Sequence, residues 1–115
     1  MITSCRRSAD GRLELDEPSE ELRRALADPD ALVWIDILAE ERDRGEAILS
    51  AMFGFHPLTI DDCYNTLIDP PKVDHYPDYL FVIVHAVQYD DGDLSASELD
   101  MFIGSNYVVT VHRSP

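Results

Sequence analysis

The sequence contains few basic residues and few cysteines, and each shortage argues against a class of protein. Only 9 Lys and Arg oppose 23 Asp and Glu, which gives a formal net charge of -14 at pH 7. Such a surface repels phosphate backbones and anionic lipid headgroups, so it argues against nucleic acid as a partner and attracts cations instead. The 2 cysteines, Cys5 and Cys63, are far apart and have no CxxC partner, so neither a disulfide scaffold nor a zinc cluster is predicted.

Long apolar runs and the common catalytic motifs are also missing. No window approaches the roughly 18 apolar residues of a membrane helix, and the N-terminus lacks the apolar core of a signal peptide. The chain as given is therefore expected to be soluble and cytosolic. It contains no GxGxxG, P-loop, GxSxG or HExxH pattern, so we predict that it is not an enzyme.

The residues that are present suffice for one folded domain. A chain of 115 residues, 45% of them hydrophobic, can bury a single core but not two, so residues 1–115 are predicted to form one domain. Short segments rich in apolar and β-branched residues predict strands. These segments lie at 2–5, 12–15, 32–38, 72–76, 79–89, 97–103 and 107–112.

Three helices are predicted between these strands. Pro18, followed by acidic residues, indicates the start of a short surface helix. An apolar stripe at three- and four-residue spacing predicts an amphipathic helix that starts near Glu40 and ends at Gly54 in a left-handed cap. Pro57 suits the first position of a further helix that runs to about Asn65.

Together these elements predict a mixed α/β fold. It has a sheet of about six or seven strands, an antiparallel C-terminal meander, and helices on at least one face. The segment 79–87 is apolar on both faces, so we expect a central strand covered on both sides. The helices supply one covering layer, and the second is expected beyond the C-terminus. Asp36 interrupts the apolar strand 32–38 and needs a polar partner.

The strand 97–103 differs from its neighbour because apolar and acidic residues alternate along it. Leu99, Met101 and Ile103 occupy one parity, and Glu98 and Asp100 occupy the other. This alternation is typical of a strand with one apolar face and one polar face.

Two adjacent acids on the third predicted helix carry the sharpest functional signal. Asp61 and Asp62 lie about one turn beyond the helix start. In one interpretation they complement the helix dipole, which is worth about 0.3–1 kcal/mol for an acid near the N-terminus. In the other they form half of a divalent-cation site, because oxygen ligands suit Mg²⁺ or Ca²⁺, and further ligands or waters complete the shell. His56 is interpreted as a helix-start residue bonded to the backbone rather than as a ligand.

Several short motifs follow one another along the chain. They are WIDI at 34–37, FGFHPL at 53–58, the acid pair, PKV at 71–73 with Tyr76 and Tyr79, and NYVVTVH at 106–112. In this order they resemble the cytoplasmic domain of CorA-type magnesium channels, from about residue 30 to the end. The chain departs from that pattern at Pro70, where many members have Arg, and in its Asp-Asp pair, where Glu-Asp is common.

The resemblance implies the soluble regulatory domain of a homopentameric channel for Mg²⁺, sometimes Co²⁺ or Ni²⁺. It implies an α/β/α sandwich on the cytoplasmic face of the membrane, with a stalk helix, two membrane helices and a Gly-Met-Asn pore motif following in a longer parent chain. In the family, the acid that matches Asp62 faces a carboxylate on the stalk helix of a neighbouring subunit across a divalent ion, and Asp61 is an auxiliary acid. A weak regulatory Mg²⁺ site, incomplete within this chain, is therefore expected at Asp62 and Asp61.

Other readings remain open at this point. A zinc transporter of the same superfamily would share this domain, because the residues that distinguish it lie in the pore and stalk. A free-standing protein-interaction module would use the same sheet without a membrane partner, and a metal-dependent hydrolase would have to cleave a phosphoester. For the isolated chain we expect self-association as a dimer or another oligomer, because a sheet face without its stalk helices would be apolar and exposed.

Overall fold

The computed structural model describes residues 2–39, 42–65 and 69–113, which form a seven-stranded sheet and three helices. The strands are β1 Ile2–Arg7, β2 Leu13–Leu15, β3 Leu32–Leu38, β4 Lys72–His75, β5 Leu80–Asp90, β6 Asp93–Ile103 and β7 Tyr107–His112. The helices are α1 Ser19–Leu26, α2 Arg42–Ala47, which continues as a π-helical turn over Ile48–Met52, and α3 Pro57–Tyr64. This architecture confirms the predicted mixed α/β fold.

The strand order is β2-β1-β3-β7-β6-β5-β4. Strands β4 to β7 form the predicted antiparallel meander, and β1 pairs antiparallel with both β2 and β3. The two halves of the chain meet where β3 runs parallel to β7, from Val33 opposite Tyr107 to Leu38 opposite His112. The last strand of the chain therefore lies in the middle of the sheet.

The hairpin between β5 and β6 is longer than predicted. The strands stay paired as far as Asp90 and Asp93, so β6 begins four residues before the predicted residue 97. The two loop residues, Asp91 and Gly92, both have positive φ, 48° and 87°. Two positive φ angles are what a two-residue type I′ turn requires, and its twist matches that of long paired strands.

The predicted helix boundaries are confirmed where the structure describes them. Gly54 has φ +68°, and its N–H donates to the Ser50 carbonyl at 2.9 Å, so it caps the turn after α2 as expected. Pro57 occupies the first turn of α3, and His56 Nδ1 accepts a hydrogen bond from the Leu58 N–H at 3.1 Å. His56 is thus the capping residue that the sequence indicated. The predicted start of the second helix near residue 40 lies outside the described residues.

All three helices pack against the same side of the sheet, which we call the covered face. Leu22 of α1, Leu49 of the π-helical turn and Ile60 of α3 belong to one core cluster with the buried residues of the strands. Phe55 closes one end of this cluster, because its ring stacks on that of Phe102 with centroids 4.0 Å apart. This core fixes the position of α3 over β5 and β6.

The opposite side, which we call the open face, is apolar and partly exposed. It carries Trp34 of β3, which is 53% exposed, and Val84 of β5, which is 36% exposed. Among the described residues, the helices all belong to the core on the other side. The expectation that 79–87 forms a central strand is wrong, because β5 lies between β6 and the edge strand β4. Cover on its second side by a segment beyond the C-terminus stays a prediction.

Strand β6 also differs from the pattern that its alternation suggested. Its acidic residues Glu98 and Asp100 are buried on the covered face, next to Phe102, whereas Leu99 and Met101 point to the open face. The two acids point inward because Phe102, which lies on the same side of the strand, belongs to the core. The alternation gave the two faces correctly but not which of them would be buried.

Candidate metal centre

Asp61 and Asp62 lie in the second half of α3, which runs from Pro57 to Tyr64. The first turn of this helix contains no acidic residue, so the interpretation in which the acids complement the helix dipole is wrong. The side chains of Thr59, Ile60 and Cys63 are buried towards the sheet. The two carboxylates therefore lie on the outward part of the helix surface.

Asp62 is positioned by a lysine on the neighbouring edge strand. Lys72 Nζ lies 3.0 Å from Asp62 Oδ2 and 3.1 Å from Asp74 Oδ2, and the Asp62 side chain is 27% exposed. The hydrogen bond to Asp62 is the main cause of the raised pKa of Lys72, followed among the favourable contributions by the one to Asp74. Because β4 is the last strand of the sheet, Asp62 lies at the outer margin of the domain.

Asp61 is exposed and faces a different cation. Arg42 of α2 is paired with Glu46 at 2.6 Å, and its guanidinium lies 5.3 Å from the centre of the Tyr64 ring. Glu46 mainly, and Asp61 to a smaller extent, raise the pKa of Arg42. Successive residues of a helix point about 100° apart. The structure therefore places the two acids near different partners rather than aiming both at one point.

Within the three described stretches, no group of three or more His, Cys, Asp or Glu side chains is arranged to hold a metal ion. The nearest thiol, Cys63, is 1% exposed, and burial in the first place raises its pKa, so it is not a thiolate donor. The donors that the helix surface offers are carboxylate oxygens. Oxygen donors suit Mg²⁺, which keeps several of its waters and needs few protein ligands.

A polar network crosses the middle of the open face. Thr110 Oγ1 donates to Asp36 Oδ1 at 2.5 Å, and Trp34 Nε1 donates to Thr110 Oγ1 at 3.1 Å. His112 Nε2 lies 2.8 Å from Asp36 Oδ2. The expected polar partners of Asp36 are thus Thr110 and His112. The network borders a shallow depression of about 310 Å³, which Cys5 also lines.

Sequence reasoning missed two sets of polar residues near the site. Lys72 was part of a recognised motif, but its pairing with Asp62 across ten residues has no local signal. The buried acids Glu98 and Asp100 lie beneath α3, and the one signal for them in the sequence is that the large apolar Phe102 points to the same side of the strand.

Comparison of the sequence with known families gives the class of protein to which this fold belongs. Residues 29–115 match the family model described as CorA-like Mg²⁺ transporter protein, so the chain belongs to this family. No helix in the described part of the chain is long and apolar enough to cross a membrane. The resemblance that the motifs carry is confirmed.

Two curated relatives and one solved structure illustrate the match. The chain is 41% identical over 82 residues to YfjQ of Bacillus subtilis, whose name refers to metal ion transport, covering 71% of this chain and 24% of that protein. It is 27% identical over 78 residues to the cobalt/magnesium transport protein CorA of Thermotoga maritima, covering 66% and 22%. The chain thus spans about a quarter of the length of these relatives.

The soluble domain of CorA from Methanocaldococcus jannaschii has the same fold. It superposes with a TM-score of 0.64 at 23% identity, covering 97% of this chain and 41% of that one. At this identity the comparison concerns the fold alone, and it agrees with the α/β domain predicted from the sequence.

Proposed function

We propose that the chain is the regulatory domain of a CorA-like Mg²⁺ channel and that it senses cytosolic divalent cation through Asp62, with Asp61 as an auxiliary acid. The observation that carries this proposal is the location of the Asp62 carboxylate, which is 27% exposed beside the edge strand β4. A carboxylate at the margin of a domain is accessible to a neighbouring copy. Family membership supports the same assignment.

The sensing step uses the repulsion between carboxylates of adjoining subunits. Two unit negative charges about 4 Å apart repel by roughly 4 kcal/mol at an effective dielectric constant near 20. A dication between them replaces this repulsion with attraction. The interface therefore closes when the ion is bound and separates when the ion leaves. A rise in the cytosolic concentration of the ion thus reduces its own uptake, which is negative feedback.

The ion pair with Lys72 permits this exchange. Lys72 contacts both Asp62 and Asp74, so it keeps a carboxylate partner when Asp62 turns towards a metal ion. Its side chain is 36% exposed, and an ion pair of this kind contributes only about 0–1 kcal/mol. Lys72 holds the Asp62 carboxylate in place without competing strongly for it.

The donor chemistry favours Mg²⁺ over Zn²⁺ as the regulatory ion. Zn²⁺ prefers thiolate and imidazole ligands, whereas Asp61 and Asp62 offer only carboxylate oxygens. Bridging through few carboxylates and retained waters gives weak binding, which suits a sensor of a cytosolic ion present at high concentration. The zinc-transporter alternative is separated by measuring uptake of Zn²⁺ and Mg²⁺ by the same reconstituted protein.

We also propose that the domain belongs to a longer chain with a stalk and membrane helices, that it lies on the cytoplasmic face of the membrane, and that the protein self-associates. Two observations support this. The relatives are about four times as long as the matched segment. The open face of the sheet is apolar, and a following segment would cover it.

The test is the Mg²⁺ dependence of channel closure in the full-length transporter, measured by ion flux into liposomes. Asp62→Ala is expected to raise the Mg²⁺ concentration needed for closure by about tenfold or more, because one side of the bridge is lost. Lys72→Gln is expected to shift it in the opposite direction by a smaller factor, because a weakly competing cation is removed. Asp43→Ala, which changes the same charge on the exposed surface of α2, is the matched control. Unchanged closure in Asp62→Ala would refute the proposal.

A further inference from the structure

Two carboxyl groups are buried side by side beneath α3. Glu98 and Asp100 lie on the same side of β6 and are only 9% and 2% exposed. Asp100 Oδ1 has no hydrogen-bond partner among the described residues. Burying a single unpaired carboxylate is costly, and burying two in contact is costlier still, so the charge state of this pair needs an explanation.

The charged and titratable groups around Asp100 do not neutralise it. Its surroundings contribute these groups from each packed element: Glu98 on its own strand, His85 on β5, Cys63 on α3, Asp69 after α3, Arg113 after β7 and, beyond Ile83, Lys72 on β4. Arg113 lowers the pKa of Asp100 by less than burial and Glu98 raise it, and Lys72 is held by Asp62 and Asp74. His85 Nε2 lies 2.7 Å from the Asp69 carbonyl oxygen, so this nitrogen donates its hydrogen to that carbonyl.

Glu98 and Asp100 are successive inward-facing residues of β6, so their carboxyl groups share one buried space. Two carboxylates buried side by side repel each other, so such a pair keeps a proton on one of its members. Glu98 Oε1 already accepts the backbone N–H of Asp69 at 2.7 Å, whereas Asp100 Oδ1 has no partner among the described residues and is available to carry a proton. The proton is therefore on Asp100.

We propose that Asp100 and Glu98 share one proton, and that this proton stabilises the packing of α3 and of the Asp69 backbone against the sheet. Asp100 lies beneath Cys63, near the end of the helix, and raises the pKa of its thiol, while Glu98 accepts the backbone N–H of Asp69. Loss of the proton would leave two adjacent buried negative charges. The pair would then separate or admit water, and both contacts with the helix side of the domain would weaken.

The direction of the Asp100 pKa agrees with this arrangement. Burial first, and Glu98 next, raise it from 3.8 to about 8. In the unfolded chain the carboxyl ionises from about pH 4 upwards, whereas in the folded domain it keeps its proton up to about pH 8. The stability contribution of the protonated group is therefore complete below about pH 4 and is lost progressively as the pH rises through about 8. The shared proton is independent of the proposed cation site, although Asp62 is adjacent in sequence to Cys63.

The direct test is an NMR titration of the wild-type chain with ¹³C-labelled aspartate. The Asp100 carboxyl resonance is expected to titrate with a midpoint near 8 instead of 3.8, and the Asp69 amide resonance is expected to shift with the same midpoint because its hydrogen bond to Glu98 weakens. A midpoint near the ordinary value of 3.8 would refute the claim that Asp100 keeps its proton in the folded domain. If the Asp69 amide resonance did not shift while Asp100 titrated, the claim that the proton stabilises the packing against the sheet would be refuted.

Urea unfolding of Asp100→Asn gives a second readout. Asparagine imitates the protonated acid but has no proton to lose, so the variant should gain stability relative to the wild type as the pH rises from about 4 to about 8, and the difference should then level off. Asp93→Asn, an exposed acid on the same strand, is the control and should show no such divergence. A pH-independent difference for Asp100→Asn would overturn the proposal, and if that variant does not fold, the wild-type titration decides.

Discussion

The two faces of the sheet contain similar apolar residues and have different environments. On β3, Val33, Ile35 and Ile37 of the covered face are at most 1% exposed, whereas Leu32 and Trp34 of the open face are 43% and 53% exposed. Both sets suit a strand that is buried on two sides. The apolar content of a strand thus indicates that both of its surfaces need cover, but not whether the cover comes from the same segment of chain.

The largest expected effect of this difference is on the free energy of unfolding, and it is tested at two adjacent residues of β5. Ile83 on the covered face is 1% exposed and Val84 on the open face is 36% exposed. Ile83→Ala is expected to lower the free energy of unfolding by about 2–5 kcal/mol, because it leaves a cavity, and Val84→Ala by less than about 1 kcal/mol. Urea unfolding at low protein concentration measures both. Similar losses would show that the two faces are equally buried in solution.

Self-association of the isolated chain is expected to proceed through the open face. Sedimentation velocity should detect a dimer or a higher oligomer, and Val84→Glu should weaken it by about tenfold or more, which corresponds to about 1.4 kcal/mol, because a charge enters the contact. Val87→Glu is the matched control: Val87 is on the same strand, 68% exposed, and points to the other side of the hairpin. A monomer at high concentration would contradict this prediction.

The smallest expected effect concerns the polar network of the open face. Thr110→Val removes the hydroxyl group that links Trp34 to Asp36, and we expect a loss of about 0.5–1.5 kcal/mol, since water can replace part of the network. The Trp34 fluorescence spectrum should shift at the same time. Thr3→Val, which lies opposite Asp36 on β1, is the control. A loss as large as that of Ile83→Ala would mean that this part of the face is closed to solvent.

The local elements could be predicted from the sequence because their signals are local. Gly54 at a helix end, Pro57 at a helix start and the Asp91-Gly92 loop each require a particular backbone conformation that few residues adopt. The strand order could not be predicted in the same way. The pairing of β3 with β7 joins residues more than seventy positions apart, and no short pattern encodes which strand will lie between β3 and β6.

The candidate site was predicted only in part. Asp61 and Asp62 were recognised through their place in a family motif, and their chemistry was interpreted from the residue types alone. Lys72 was missed because an ion pair between a helix and an edge strand depends on tertiary packing. Asp100 was missed because an alternating strand is expected to turn its acids to solvent, and here Phe102 at the same parity directs them inward.

The central place of β7 has a consequence for how the domain is synthesised. Ribosomes release the chain from the N-terminus, so β3 and β6 emerge before the strand that joins them, and each presents an unpaired edge until about residue 112 has left the exit tunnel. Folding of the sheet therefore finishes only with the last strand. Nascent chains interrupted before that strand would expose two unpaired strand edges. Such chains would need chaperones to prevent their aggregation.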